Sequence, residues 1–415
     1  MNNKLYRRKI VEQIDKFLDS KEIIVLHGAR QVGKTSIMLY LIDKLKKQNQ
    51  RNQIFYFDLE ISRFLELVNS GFEQFYDYLL TKGYKKEEKA YVFIDEIQHL
   101  DDPSNFLKLF HDNYSDKIKL TVSGSSSFEI KNKFKDSLVG RTVNFEIWPL
   151  DFEEFLLFKN KQYNLSVKNF PEAVNQELNK LYRDYVLYGG YPQIVLEDDV
   201  EKKEIYLNQI IDTYIKKDIR DLAKIRNIDK FNKLIQVLAA QSGNMLNVLE
   251  LANTVDLSRQ TVEEYLFLLE NTYIIKLVSP FHKNLRSELF KKPKVYLVDH
   301  GIANLLAFKT FPEVISGSIF ETAIFSDLLK RRKKSLIYFW RTSTGQEIDF
   351  VVGKKDLILI EVKLNANSSK LGNLKFFIEK YKRGKGYLVF LDGKARETKH
   401  GVRFIYPWQL ETILN

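Results

Sequence analysis

Apolar residues in the first 150 positions follow two rhythms. Short continuous or alternating runs at 23–26, 54–60, 91–100, 118–126 and 143–150 read as strands. Between them apolar positions recur every three or four residues, as at Ile10, Val11, Ile14, Phe17 and Leu18 of an amphipathic helix over 4–20. Further helical stretches reach Lys47, run through 61–88 and cover 104–112. Strands alternating with helices predict one α/β domain, residues 1–152, whose parallel sheet binds ligands at its strand C-termini.

Beyond residue 152 the strand signals fade and helical spacing dominates to about residue 240, broken by the turn YGGYP at 188–192. Residues 245–280 read as a helix, a turn at Asp256–Ser258, a second helix capped by Ser258, and an apolar strand. That order predicts a winged helix-turn-helix. The tail reads helix (318–331), three strands (335–341, 346–352, 357–363), helix (370–382) and strand (386–391). The expected division is 1–152, a helical lid at 153–228, the winged helix at 229–312 and an α/β unit at 313–415, an α/β fold class overall.

Composition narrows the chemistry. The 415 residues are 44% apolar and 29% charged, with a net charge of +11 and a pI near 9.2. This permits a polyanionic partner without identifying one. With no cysteine, disulfides, thiolate catalysis and Cys-ligated zinc are excluded. The N-terminus lacks an apolar signal core and no apolar run has membrane-spanning length, so a cytoplasmic location without membrane association is expected.

The first strand opens into GARQVGKT, a G-x-x-x-x-G-K-T loop leading into a helix. Glycines let the backbone curl so that N–H groups point into one concavity, and the helix adds its N-terminal dipole. Gly28, Ala29, Arg30, Gln31, Val32, Gly33, Lys34, Thr35 and Ser36 are thus expected to cradle phosphates. Lys34 would sit on the β/γ-phosphates and the Thr35 hydroxyl on Mg²⁺. Asp95 and Glu96 end the buried run 91–94. Asp95 is placed to hold the Mg²⁺ hydration shell and Glu96 to orient or deprotonate water. Ser125 is a candidate for touching the γ-phosphate or that water. Arg141, in SLVGRT, is a candidate arginine finger, which a neighbouring subunit can supply; a surface arginine is the competing reading.

GARQVGKT, FIDEIQHL, VSGSSS, LVGR followed by WPLDFEEF, GGYPQIVL and YIKKDI together resemble the AAA+ ATPases of the archaeal/bacterial type. The resemblance covers nearly the whole chain. It implies ATP and Mg²⁺ as cofactors, Walker A at 28–35, Walker B at Asp95 and Glu96, a sensor near Ser125 and a finger at Arg141. It also implies contact of Gly190 and Pro192, in the lid, with adenine. A finger acting in trans implies a homo-oligomer, a hexamer being one arrangement.

In the tail, Asp349 closes one strand, and Glu361 and Lys363 share a face of the next because strand side chains alternate. Two carboxylates and a lysine on adjacent strands can hold Mg²⁺ and steady water against a phosphodiester. Glu321, in the preceding helix, would be the fourth member. The α-β-β-β-α-β order resembles the PD-(D/E)xK nuclease fold; binding without cutting stays open. The run Lys330, Arg331, Arg332, Lys333, Lys334 can track a phosphate backbone or simply be a solvated face. Ser258, Arg259, Gln260 and Thr261 can meet DNA, although Glu263 and Glu264 on the same helix weaken that case. The expected function is an ATP-hydrolysing AAA+ protein acting on DNA. The alternative is a nucleotide-dependent signalling switch whose C-terminal domains contact protein without DNA cleavage.

Overall fold

The computed structural model describes residues 5–49, 53–124, 138–167, 169–218, 225, 227–281, 292–331, 336–368, 371–398 and 401–414. The chain divides into two compact units, Met1–Trp148 and Pro149–Asn415.

The first unit is built on five parallel strands in the order β2-β3-β4-β1-β5. These are β1 (Ile23–His27), β2 (Gln53–Asp58), β3 (Ala90–Asp95), β4 (Ile118–Gly124) and β5 (Thr142–Glu146). All residues of β1, β3 and β4 are buried, as expected of parallel strands covered on both faces. The β4-β1 neighbourhood is reached by crossovers, so the C-termini of β1 and β3 open at one edge, each beside β4.

Two expected helices are shorter than their periodicity. Over 4–20, only Val11–Ile14 is α-helical, continued by a 3₁₀ turn at Asp15–Phe17. Over 61–88, Gly71 at φ 111° divides Ser62–Asn69 from Phe72–Thr81. A left-handed break costs glycine little, and Phe72 and Phe75 can then turn into the core beside β3.

The second unit begins with helices Phe152–Phe158, Glu172–Tyr188, Pro192–Leu196 and Val200–Ile210, the last running into a π-helical segment, Ile211–Asp218. Helices Ile228–Ala240, Val248–Val255 and Arg259–Asn271 follow. Asp256 adopts the left-handed conformation between the last two, and the Ser258 hydroxyl accepts from Thr261 N at 3.0 Å, capping as the sequence indicates. An antiparallel ribbon, β6 (Ile275–Val278) with β7 (Lys294–Leu297), completes this part. Helix Gly317–Arg331 then packs on a six-stranded mixed sheet of order β12-β13-β11-β10-β9-β8. Its strands are β8 (Ile337–Arg341), β9 (Glu347–Val352), β10 (Ile358–Asn365), β11 (Lys385–Asp392), β12 (Arg396–Glu397) and β13 (Arg403–Ile405). β8, β9 and β10 form an antiparallel meander, and β11 joins β10 in parallel after helix Gly372–Tyr381.

Candidate functional site

The loop after β1 needs its two glycines for different reasons. A Cβ on Gly28 would lie 2.2 Å from the Ile147 carbonyl oxygen, so only a bare backbone passes there. Gly33 stands at φ 97°, ψ 26°, immediately before helix Lys34–Gln48. The unpaired N–H groups of that helix's first turn therefore face the loop, an anion-binding arrangement. Lys34 is 5% exposed, and its ammonium donates to the carbonyls of Gly28 (3.2 Å) and Ala29 (2.9 Å). Burial lowers its pKa to about 8, against the attraction of Glu96 and Asp95. Arg8, buried at the N-terminus, donates to the carbonyls of Val32 in this loop and Trp148, both at 2.8 Å.

At the end of β3 the Asp95 carboxylate gathers donors. Thr35 Oγ1 donates to Asp95 Oδ2 at 2.6 Å, and the Tyr56 hydroxyl donates to the same oxygen at 3.1 Å. The Ser123 hydroxyl, fully buried on β4, donates to Asp95 Oδ1, and the Glu96 N–H reaches Ser123 Oγ at 3.2 Å. Burial, then Asp95, pushes the Tyr56 hydroxyl well above its ordinary pKa and keeps it a donor. Glu96 sits at φ 57°, ψ 49°, a strained conformation for a side-chain-bearing residue. Its carboxylate accepts from the Gln98 side-chain amide. The Thr35 hydroxyl against a carboxylate oxygen, both hard oxygen donors, fits Mg²⁺. Thr35 and Asp95 would hold the ion, whose charge would offset that of the phosphates.

Ser125 lies outside the described residues; the serine that the structure brings to Asp95 is Ser123. Arg141 precedes β5 at the opposite end of the sheet. Its carbonyl accepts from Ile23 N at the start of β1, four strand steps of about 3.3 Å from His27. Its guanidinium is bidentate to Asp112, at 2.7 and 3.1 Å, which draws Asp112 down to a pKa of about 2. From there Arg141 does not serve its own loop. In the second unit, the Gly190 N–H donates to Asp299 at 2.9 Å, and a Cβ on Gly190 would lie 2.3 Å from the Leu150 carbonyl. Pro192 opens helix Pro192–Leu196. Packing thus accounts locally for the GGYP turn.

The second unit assembles the four tail residues into one centre. Pairing Ile360 with Phe350 sets Glu361 beside Asp349. Lys363 Nζ lies 2.9 Å from Glu361 Oε1 and 3.8 Å from Asp349 Oδ2, which also accepts from Val362 N at 2.7 Å. Three further residues, not indicated by the sequence pattern, complete it. Tyr296 O–H donates to Glu321 Oε1 at 2.6 Å, and Lys294 Nζ lies 3.3 Å from that oxygen and 2.6 Å from Glu347 Oε1. Burial raises the pKa of Glu321, of Asp349 and of Glu361, the last to about 7 with help from Asp349. Burial opposes the charge of Lys294, yet Glu321, Glu347 and Asp349 raise its pKa overall. Among the described residues, no three acidic or imidazole side chains converge as a metal cluster.

The basic run departs from a phosphate track. Lys330 donates to the Leu150 carbonyl at 3.2 Å and stacks on Tyr185. The Arg331 side chain is 1% exposed, between Asp327 (3.1 Å) and Glu411 (2.8 Å). Lys330 is half-buried and the Arg331 side chain fully so, because Leu150 and Glu411 from distant segments, with Asp327 one turn back, meet them; 332–334 lie outside the described residues. On the helix after Ser258, Arg259 pairs with Glu263 at 2.8 Å and Gln260 donates to Glu264 at 3.1 Å. Among the described residues no helix is long and apolar enough to cross a membrane.

Comparison with known proteins agrees with the first unit. Residues 20–156 match the family described as "AAA domain". Residues 179–312 and 316–410 match two families described as "Domain of unknown function", DUF8612 and DUF4143. An "Uncharacterized protein" of Haemophilus influenzae is 26% identical over 98% of this chain and 98% of its own. One of Methanocaldococcus jannaschii is 28% identical over 84% of this chain and 76% of its own. Among solved structures, Cdc6p of Pyrobaculum aerophilum aligns at a TM-score of 0.34 and 13% identity, covering 69% of this chain and 91% of that one. The Thermotoga maritima RuvB Holliday junction branch migration motor aligns at 0.34 and 15%, covering 65% and 89%. The family match and the parallel sheet with its phosphate loop support an AAA+ ATPase module in residues 20–156.

Proposed function

We propose that this protein binds ATP with Mg²⁺ at residues 28–36, hydrolyses it, and uses the cycle to act on DNA. The observation that carries the hydrolytic part is the network joining Thr35, Asp95, Ser123 and the Glu96 N–H at the strand C-termini. Backbone N–H groups of the loop receive the phosphates, and Lys34 exchanges the Gly28 and Ala29 carbonyls for phosphate oxygens. Glu96, held in its left-handed turn, orients the attacking water and accepts its proton. Arg141, at the far end of the sheet, acts on a neighbouring subunit's nucleotide, which requires a homo-oligomer. Gly190 and Pro192 contribute to the adenine side.

For the second unit the reading is a winged helix over 229–312 and a PD-(D/E)xK nuclease-like domain over 313–415. Three helices followed by an antiparallel ribbon support the first, and Asp349, Glu361 and Lys363 on neighbouring strands with Glu321 support the second. The net charge of +11 suits a polyanion. The pairing of Arg259 and Gln260 with Glu263 and Glu264, and the burial of Lys330 and Arg331, favour the second reading: a nucleotide-dependent switch contacting protein. ATP turnover with and without single-stranded, duplex and branched DNA separates the two. DNA action requires stimulation by at least one form, lost as salt rises. Turnover indifferent to every form selects the switch.

A further inference from the structure

The carboxylate centre of the second unit already contains a cation, and that cation comes from outside its sheet. Lys294 belongs to β7 of the ribbon and is 3% exposed. Its ammonium is fixed by Glu347 at 2.6 Å and Glu321 at 3.3 Å, and it lies over the Phe339 ring, 5.5 Å from the centroid. Tyr296, two residues on and on the same strand face, holds the same Glu321 oxygen. Its ring stacks on Phe325 at 4.3 Å, so β7 is anchored to the helix that carries Glu321. On the other side Lys363 serves Glu361 and Asp349. Four carboxylates thus face Lys294, Lys363 and Arg341, which lies 3.1 Å from Glu347 Oε2, so acids outnumber bases by one. One oxygen, Glu361 Oε2, is buried without a hydrogen-bond partner on a side chain only 9% exposed. A buried acceptor left over in such a centre marks where another donor or cation belongs. The centre therefore has an open ligand atom at Glu361, while Lys294 holds Glu321.

We propose that Lys294 is a tethered internal cation that keeps the Glu321–Asp349–Glu361 centre closed to divalent metal ions, so that the centre opens only when β7 releases Glu321. The inference rests on the reading of this centre as nuclease-like. A divalent ion needs Glu321 as a ligand beside Asp349 and Glu361, and it cannot share that carboxylate with an ammonium without strong repulsion. The ribbon that carries Lys294 is part of the proposed winged helix, which makes it a route by which a partner bound there would control the centre.

The test is Mn²⁺ binding to the full chain without nucleotide, followed by the loss of free-ion electron paramagnetic resonance signal. The proteins are wild type, Asp349→Asn, Lys294→Met, Lys294→Arg, and Lys294→Met combined with Asp349→Asn. The closed-centre account predicts that Lys294→Met gains a site at least tenfold tighter than any in wild type. Asp349→Asn removes that site, and Lys294→Arg, which keeps the charge, does not create it. If Lys294→Met does not fold, Lys294→Met/Glu347→Gln removes the lysine with one acid and carries the same prediction. Wild type binding Mn²⁺ at a site sensitive to Asp349→Asn, as tightly as Lys294→Met, overturns the gate and leaves the metal reading standing. A folded Lys294→Met with no such site overturns both, making Lys294 a structural ion-pair partner.

Discussion

Lys34 in the first unit and Lys294 in the second are both nearly buried, 5% and 3% exposed, yet their partners differ in kind. Lys34 donates to two neutral carbonyls, and burial outweighs the attraction of Glu96 and Asp95, lowering its pKa to about 8. Lys294 touches two carboxylates directly, and their attraction outweighs burial, raising its pKa. One site leaves a positive charge under-compensated, as an anion receptor must. The other supplies its counter-charges from within. The same residue type thus marks a ligand site in one unit and an ion-paired acidic centre in the other.

The contrast is broken most forcefully by removing each lysine. Lys294→Met leaves the half-buried Glu321 without its cation while Glu347 keeps Arg341 at 3.1 Å, so the cost falls below the roughly 3–5 kcal/mol of a fully buried pair, to about 1–3 kcal/mol. Denaturant unfolding should show that loss in the second unit; an unchanged midpoint would mean the carboxylates are neutral there. Lys34→Met has the opposite sign. A buried lysine whose pKa falls from 10.5 to about 8 costs the nucleotide-free fold about 3 kcal/mol at neutral pH. Lys34→Met should therefore stabilise the nucleotide-free protein, by about 1–3 kcal/mol after imperfect packing, while abolishing ATP binding.

The pH dependence sharpens this. Between about pH 8 and 10.5 the unfolded chain holds a proton at Lys34 that the folded chain has lost, so this group's contribution to stability rises with pH across that window. Lys119, also lowered to about 8 by burial, contributes a rise to both proteins, so unfolding free energies at pH 7.5 and 10 should rise more in wild type than in Lys34→Met. Equal slopes would mean that Lys34 is not held uncompensated. A smaller effect is expected at Ser123, which touches Asp95 and the Glu96 N–H. Ser123→Ala should lower kcat about 10–100-fold, the range typical of residues that orient ligand groups, with ATP affinity nearly unchanged. A loss confined to KM would assign Ser123 to substrate binding instead.

The phosphate loop was legible because its chemistry is contiguous: GARQVGKT carries its glycines, lysine and threonine in one strand–helix turn. Asp95 and Glu96 were legible as acids closing an apolar strand. Ser123 was not, because inside the all-buried strand β4 a serine reads as an ordinary alternation. Tyr56 and Arg8 reach the site from an adjacent strand and from the N-terminal segment, and no local pattern announces them. In the second unit Asp349, Glu361 and Lys363 follow from strand alternation. Lys294, Tyr296 and Glu347 depend on how a ribbon some 50 residues earlier meets β9. Charge density misled at Lys330 and Arg331. A basic run reads as surface until Leu150 and Glu411, from distant segments, and Asp327, one turn back on the same helix, are seen to meet it.

The most direct test of the ATP site separates binding from turnover at Glu96. Glu96→Gln keeps the size and the left-handed backbone position but removes the proton acceptor. Titration with ATP and Mg²⁺ should give an affinity within about threefold of wild type, while steady-state phosphate release falls by about 10²-fold or more. Phosphate release from Glu96→Gln at the wild-type rate would contradict the account, because the network around Asp95 would then be positioning something other than the hydrolytic base.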